Sequence, residues 1–202
     1  MKIDTKDLFI ILPISFLLMT GIIMVSSSSI YIADDMTNNP FHFAQRQALF
    51  IAIGLLALIF FLLLPSEFLF RTDWIFMLIS IFLLAILFVP DVGTSVNGSI
   101  RWIRLGPINI QPSEVCKFSL ILYISGYSVR RMTEINSLRS FLKPLFLLFL
   151  ISILIMGQPD LGSTAIVCIL VVGILFYAGI SFMQLCLLIL LIALLGYLAI
   201  TT

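Results

Sequence analysis

The chain has 202 residues, of which 61% are hydrophobic and 10% charged, and its formal net charge at pH 7 is +1. Soluble domains are nearer half apolar and a quarter charged, so this composition, with a mean hydropathy of +1.22, predicts a polytopic membrane protein. The nearly neutral charge provides no basic field, and no nucleic-acid partner is expected.

Seven apolar segments predict seven transmembrane helices, so the fold class is an all-α, polytopic helical bundle forming a single membrane domain over residues 1–202. Apolar runs without period-two alternation argue against a membrane β-barrel. The first segment is longer than a signal-peptide core and further spans follow it, which favours an uncleaved helix. The segments are residues 8–30, 48–64, 74–89, 115–129, 142–156, 163–178 and 183–200.

The distribution of basic residues predicts the orientation. With the N-terminus in the cytoplasm, the inner segments carry more Lys and Arg than the outer ones, as membrane proteins prefer. Seven spans then place the C-terminus outside. The inner set is Lys2, Lys6, Arg71, Arg130, Arg131, Arg139 and Lys143, and the outer set is Arg46, Arg101, Arg104 and Lys117.

The longest outer connection covers residues 90–112. Gly93, Gly98, Gly106 and Pro107 mark turns in it. Trp102 lies between two isoleucines, which is typical of a stretch at the membrane interface. We therefore expect a long, turn-rich outer loop before the fourth helix.

The fourth helix carries charged residues in its first two turns. Pro112 suits the first turn, and helical spacing then places Ser113, Glu114 and Lys117 on one stripe. Charges in such a segment are costly and usually line a site or a pathway. Two interpretations stay open: Lys117 is a cation for an anionic substrate, or Glu114 and Lys117 neutralise each other and fix helix packing.

In the predicted topology, further polar residues lie near the N-terminus of this helix. Arg101 and Arg104, together with Lys117, could bind a phosphate or pyrophosphate, or could contact lipid headgroups. Asp160 could cap the sixth helix, pair with an outer cation or help to hold a divalent metal. His42 is read as a surface residue of the first outer loop. No P-loop or other ATP-binding motif is present.

Three segments carry a family resemblance: residues 98–107 (GSIRWIRLGP), residues 111–117 (QPSEVCK) and residues 158–162 (QPDLG). They resemble the hallmark motifs of the SEDS proteins (shape, elongation, division and sporulation), which include RodA and FtsW. Ser163 stands where the family usually has Thr. The Ser-rich end of the first helix, residues 26–29, and the loop 34–40 look most like FtsW, the division member, and the resemblance covers the N-terminal half of that family's chain.

The resemblance implies a peptidoglycan glycosyltransferase that polymerises lipid II on the outer face of the bacterial cytoplasmic (inner) membrane, at the division septum. Its partners would be lipid II, a class B penicillin-binding protein, other divisome proteins and membrane lipids. No cofactor is certain, although a divalent metal is possible. The implied substrate-binding residues are Arg101, Arg104, Lys117 and Glu114, and the implied structural motif residues are Trp102, Gln111, Pro112, Ser113, Gln158, Pro159, Asp160 and Gly162.

The resemblance also implies more helices than this chain has, with the catalytic Asp in a large outer loop after helix seven. We therefore expect no catalytic residue within residues 1–202, an Asp beyond Thr202, and a truncated or split reading frame. Activity of these residues alone is accordingly an open question. Two alternatives remain: a lipid II flippase, and a non-enzymatic scaffold of the divisome.

Overall fold

The computed structural model describes residues 5–90, 92–96, 99–105 and 108–201. The predicted turn residues Gly98, Gly106 and Pro107, and also Lys2, lie outside these ranges. The chain forms two compact units, Met1–Pro65 and Ser66–Thr202. Within the described ranges, seven α-helices in the predicted order confirm the helical bundle. The single membrane domain over residues 1–202 and its orientation in the membrane stay predictions.

The first unit is a pair of helices, α1 (Thr5–Thr37) and α2 (His42–Leu63). Both present large apolar side chains on their surfaces, as expected of helices that contact lipid. The helix α1 continues well past the serines that the sequence suggested as its end. Ser28 and Ser29 instead donate hydrogen bonds to the carbonyl of Val25 within the helix. His42 is the first residue of α2 rather than a loop residue.

The second unit packs five α-helices around one apolar core. They are α3 (Ser66–Ile86), α4 (Pro112–Arg130), α5 (Leu138–Met156), α6 (Leu161–Tyr177) and α7 (Phe182–Thr201), with a short 3₁₀ turn at Met132–Glu134. The core draws on every one of these helices. Its buried side chains are Met77, Leu84, Cys116, Leu120, Ile124, Phe141, Leu148, Ile151, Ile155, Val167, Cys168, Val171, Leu175 and Leu188.

Length and composition qualify four of the described helices as membrane spans: α1 from Asp7, α2, α3 and α5. The helix α6 and the stretch Phe182–Leu194 of α7 are apolar but shorter. The helix α4 is not among these spans, and its N-terminal half carries Glu114 and Lys117. Charged residues lower the hydropathy of a helix, and they are expected to face protein or a wet cavity rather than lipid.

The loop before α4 contains a small antiparallel sheet that the sequence analysis did not predict. Its strands are β1 (Gly93–Val96), β2 (Ser99–Leu105) and β3 (Ile108–Ile110), in the order β1-β2-β3. Directly paired residues share a face of a sheet. The pairing therefore places Ile103 and Ile110 on one face, and Trp102, Arg104 and Asn109 on the other.

A β-bulge interrupts the pairing of β1 with β2 at Arg101. Thr94 pairs with Trp102, but the next residue, Ser95, pairs with Ile100, so Arg101 has no partner residue on β1. Bulges redirect a side chain out of the regular alternation. The bulge frees the Arg101 side chain to reach the turn between α5 and α6.

Candidate binding site at the sheet end

The sheet, the first turn of α4 and the α5–α6 turn (residues 157–160) meet at one end of the second unit, which we call the sheet end. Asp160 is its most buried charged residue, with 5% of its surface exposed. Its carboxylate accepts hydrogen bonds from the backbone N–H of Ser163 at 3.1 Å and from the Ser163 hydroxyl at 2.7 Å. Asp160 is therefore the N-cap of α6, as its spacing to Ser163 predicted.

Arg101 contacts the same turn from β2. Its guanidinium donates a hydrogen bond to the carbonyl of Pro159, and its Nε lies 3.7 Å from the Asp160 carboxylate. That Nε is buried and has no hydrogen-bond partner among the described residues. Asp160 thus caps a helix and pairs with a cation at the same time. The contact joins the bulged strand to the start of α6.

Ser113 extends this group to α4. It is buried in the first turn of α4, and its hydroxyl lies 3.5 Å from that of Ser163. Arg101, Asp160, Ser163 and Ser113 therefore form one polar cluster that links β2, α6 and α4. We call these four residues the Asp160 cluster.

Lys117 and Glu114 form a separate pair on α4. Their ammonium and carboxylate groups lie 2.7 Å apart, with 16% of the Lys117 side chain and 59% of the Glu114 side chain exposed. The structure therefore contains the neutralising pair that the sequence left as one alternative. An ammonium group has three N–H donors, so this pairing leaves Lys117 with donors for a further acceptor.

Arg104 has a third kind of environment. It is exposed on the Trp102 face of the sheet, opposite Asn109. Within the described ranges no carboxylate lies at ion-pair distance from its guanidinium. The three predicted phosphate-binding cations thus differ: Arg101 is tied to Asp160, Lys117 to Glu114, and Arg104 is directly available to an anion. No described contact joins the three.

A cavity of about 360 Å³ lies at the sheet end, lined by residues 87–90, Gly93, Ile100 and residues 157–159. Gln158 is its buried polar member, and its side-chain amide donates a hydrogen bond to the carbonyl of Leu84 at 3.1 Å. This bond holds the α5–α6 turn against the last turn of α3. The cavity is otherwise mostly apolar, so it suits a hydrocarbon or ring surface better than a charged group.

The remaining motif residues shape the backbone. Gln111 is the N-cap residue of α4 and makes no side-chain capping bond. Pro112 follows in the first turn, where the missing N–H costs nothing, and it is buried. Gly162 has room for a methyl group, since the nearest atom to an added Cβ is 3.7 Å away. Steric crowding therefore does not explain why a glycine stands at this position of the motif.

The described residues assemble no cluster of three or more His, Cys, Asp or Glu side chains that would suit a metal ion. Asp160, the candidate ligand from the sequence, already accepts two hydrogen bonds and faces Arg101. The donor set of this segment therefore does not fit a divalent metal by itself.

The sheet, and with it the redirected Arg101, was not predicted from the sequence. A signal was available, because Asn-Gly at positions 97–98 is the dipeptide most typical of two-residue hairpin loops. The roles of Ser163 and of Gln158 in bridging helices had no local signal. They depend on which helices are neighbours, which a single segment does not report.

The FtsW/RodA/SpoVE family model, described as cell cycle protein, matches residues 7–202. The chain is 44% identical over 177 residues to a Haemophilus ducreyi protein named as a probable peptidoglycan glycosyltransferase FtsW, covering 86% of this chain and 43% of that one. An Escherichia coli O6:H1 protein of the same name is 42% identical over 165 residues, covering 81% and 39%. The chain thus spans under half the length of these curated relatives.

Solved structures agree with this assignment. The crystal structure of the Thermus thermophilus rod shape determining protein RodA matches with a TM-score of 0.67 and 26% identity, over 88% of this chain and 58% of that one. A structure described as showing the coordination of polymerization and crosslinking by a peptidoglycan synthase complex matches with a TM-score of 0.66, also at 26% identity, over 87% and 52%. The chain therefore belongs to the FtsW/RodA/SpoVE (SEDS) family of cell cycle proteins and is most like FtsW.

Proposed function

We propose that this chain is part of an FtsW-type peptidoglycan glycosyltransferase that polymerises lipid II during septal cell-wall synthesis. The observation that carries the proposal is the 44% identity, over 86% of this chain, to a relative named for that activity. The same proposal places it in the bacterial inner membrane at the division septum. Its partner would be a class B penicillin-binding protein, in keeping with a structural neighbour described as part of a peptidoglycan synthase complex.

The chemistry of the sheet end supports this proposal. In the reaction a sugar hydroxyl of one lipid II displaces the polyprenyl pyrophosphate of another, so negative charge grows on the leaving group. Preorganised cations stabilise such charge strongly. Arg104 is exposed and has no described carboxylate partner, so it is the first candidate to bind the pyrophosphate.

The other two cations have different proposed roles. Lys117 retains N–H donors beyond its bond to Glu114, and a pyrophosphate oxygen could use them. Arg101 acts as a positioning residue, because its guanidinium holds the α5–α6 turn through Pro159 and Asp160. The family resemblance assigns the general base to a loop beyond helix seven. In this proposal the described residues bind the pyrophosphate of the substrate, and the general base comes from that later loop.

A chimera tests the function directly. Residues 7–202 would replace the matching segment of the Escherichia coli relative, in cells from which the native protein is depleted. We expect normal septation, because the segment retains the family's motifs in order. A chimera that reaches the membrane at the native level but leaves cells filamentous would contradict the proposed function.

The same chimera tests Arg104. We expect Arg104→Gln to weaken binding of polyprenyl pyrophosphate in membranes about tenfold, the usual loss for one charge-assisted hydrogen bond. Arg139→Gln is the matched control, since Arg139 is also exposed but lies at the start of α5. Equal binding by the two variants would remove Arg104 from the site.

A further inference from the structure

An ion pair between a buried carboxylate and a half-exposed arginine lies at the other end of α4, which we call the linker end, next to residues 131–137. Asp73 on α3 has only 1% of its surface exposed. Its carboxylate accepts a hydrogen bond from Arg130 at 2.7 Å, and Arg130 also donates to the carbonyl of Phe70 at 2.9 Å. From the sequence alone, Arg130 is only one of the basic residues of the inner segments. In the structure it instead joins α4 to the first two turns of α3.

Gly126 makes this pair sterically possible. A Cβ at position 126 would collide with the Asp73 carboxylate, and it would lie 3.0 Å from Arg130 Nη1 and 3.3 Å from the Phe70 ring. The carboxylate therefore occupies the space that any other side chain at position 126 would fill. Asp73, Gly126 and Arg130 form one interlocking unit between α3 and α4, which we call the Asp73 lock.

An ion pair with one buried partner is better suited to specify a geometry than to add stability. Asp73 is desolvated and Arg130 is half exposed, so the cost of burying the carboxylate offsets much of the attraction between the charges. Apolar contacts alone specify helix register weakly in a membrane, because lipid tails are as apolar as Leu side chains. A single buried polar contact can instead allow one register only, since every shifted register leaves a charge unpaired.

The two ends of α4 are connected mechanically. Lys117 and Arg130 are thirteen residues apart on one continuous helix, which corresponds to about 20 Å at 1.5 Å per residue. A shift or rotation of α4 at the linker end therefore moves Ser113 and Lys117 at the sheet end by a similar amount. We propose that the Asp73 lock sets the register of α4 against α3 and so positions Ser113 and Lys117, with Asp73 and Arg130 as positioning residues. Its catalytic consequence rests on the proposed function, but its geometry does not.

Disulfide formation at the sheet end measures this register independently of activity. The hydroxyls of Ser113 and Ser163 are 3.5 Å apart, so cysteines at these two positions report whether α4 keeps its place. The reporter would be the chain in bacterial membranes with the three native cysteines replaced by alanine and with Ser113→Cys and Ser163→Cys. The measured quantities are the rate of disulfide formation under mild oxidant and the amount of chain in the membrane.

The decisive variant is Asp73→Asn with Arg130→Gln, which removes both charges and leaves no unpaired buried ion. We expect it to be present in the membrane in the same amount as the parent. Its rate of disulfide formation should be about one third of the parent's rate or lower. Arg130→Lys keeps the charge and should keep the parent rate. Arg131→Gln is the matched control, because the ion pair of Arg131 among the described residues is with the exposed Glu134. A parent rate in the double variant overturns the proposal.

Gly126→Ala provides a second perturbation if the double variant fails to accumulate. The added methyl displaces the carboxylate without removing a charge, so the same slowing is expected. A parent rate in Gly126→Ala would likewise overturn the lock. In the chimera, the double variant should also impair septation. A slowed disulfide with unimpaired septation would confirm the register but refute its role in the reaction, whereas failure of the parent chimera concerns only the proposed function.

Discussion

Replacing Asp160 with alanine should destabilise the second unit more than any other single change at the sheet end. The loss of an N-cap costs about 1 kcal/mol, and a hydrogen bond to a charged group is worth about 1.5–3 kcal/mol. The ion pair with Arg101 adds at most about 1 kcal/mol, since its distance is 3.7 Å and 35% of the Arg101 side chain is exposed. These contributions overlap because one carboxylate makes all the contacts, so we expect roughly 3 kcal/mol for Asp160→Ala.

Asp160→Asn separates the cap from the charge. Asparagine keeps the size of the side chain and one oxygen acceptor, and it is as good a cap as aspartate. It loses the attraction to Arg101 and the charge assistance of the bond from Ser163. We therefore expect a cost of about 1 kcal/mol for Asn, which is well below the cost for Ala.

The assay is reversible unfolding of the purified chain by SDS titration in mixed micelles, followed by tryptophan fluorescence. Ser137→Ala is the matched control, because the Ser137 hydroxyl makes only neutral bonds and lies at the linker end. It accepts from the N–H of Ser140 at 3.3 Å, which caps α5, and donates to the Ser140 hydroxyl at 3.0 Å. The substitution should cost about 1 kcal/mol. If Asp160→Ala costs no more than Ser137→Ala, the buried carboxylate contributes only an ordinary cap and the reasoning is wrong.

Two further changes test the packing and the charge at this end. A Cβ at Gly157 would lie 2.8 Å from the Phe88 ring, so Gly157→Ala should lower the free energy of unfolding by about 1–2 kcal/mol in the same titration. Gly162 has an open position inside α6, so Gly162→Ala should be neutral or stabilising by up to about 1 kcal/mol. Equal effects of the two substitutions would contradict the packing described. Glu114→Gln removes the charged partner of Lys117, so binding of inorganic pyrophosphate, measured by calorimetry in detergent, should strengthen severalfold, about the worth of one exposed ion pair. Unchanged affinity would indicate that Lys117 does not reach the anion.

The helices of this protein are largely predictable from its sequence, because each is specified by local physics. Apolar runs of sufficient length must form helices in lipid, since no other open structure pairs the backbone there. Pro112 marked the start of α4, and Asp160 marked the cap of α6. The sequence is misleading at the end of α1. The run of serines at 26–29 suggests a helix end, but the hydroxyls of Ser28 and Ser29 bond within the helix, which continues to Thr37.

The motif residues were also identifiable, but their contacts were not. Glu114 and Lys117 are three residues apart on one helix, so the possibility of their pairing followed from helical spacing alone. For Arg101 and Arg104 the sequence leaves the same two alternatives, a phosphate site or lipid headgroups. The bulge in β2 gives them different environments, and the pairing of β2 with β1 that creates the bulge involves two segments.

The membrane class, the helices and the family can be inferred from contiguous residues, because hydropathy, capping and short motifs are local properties. Which polar groups meet depends on the three-dimensional packing. Arg101 lies 59 positions from Asp160, and Asp73 lies 57 positions from Arg130. Such pairs depend on which helices and strands become neighbours and in what register. The need for a glycine at position 126 and for a bulge at position 101 can be explained only after that register is known.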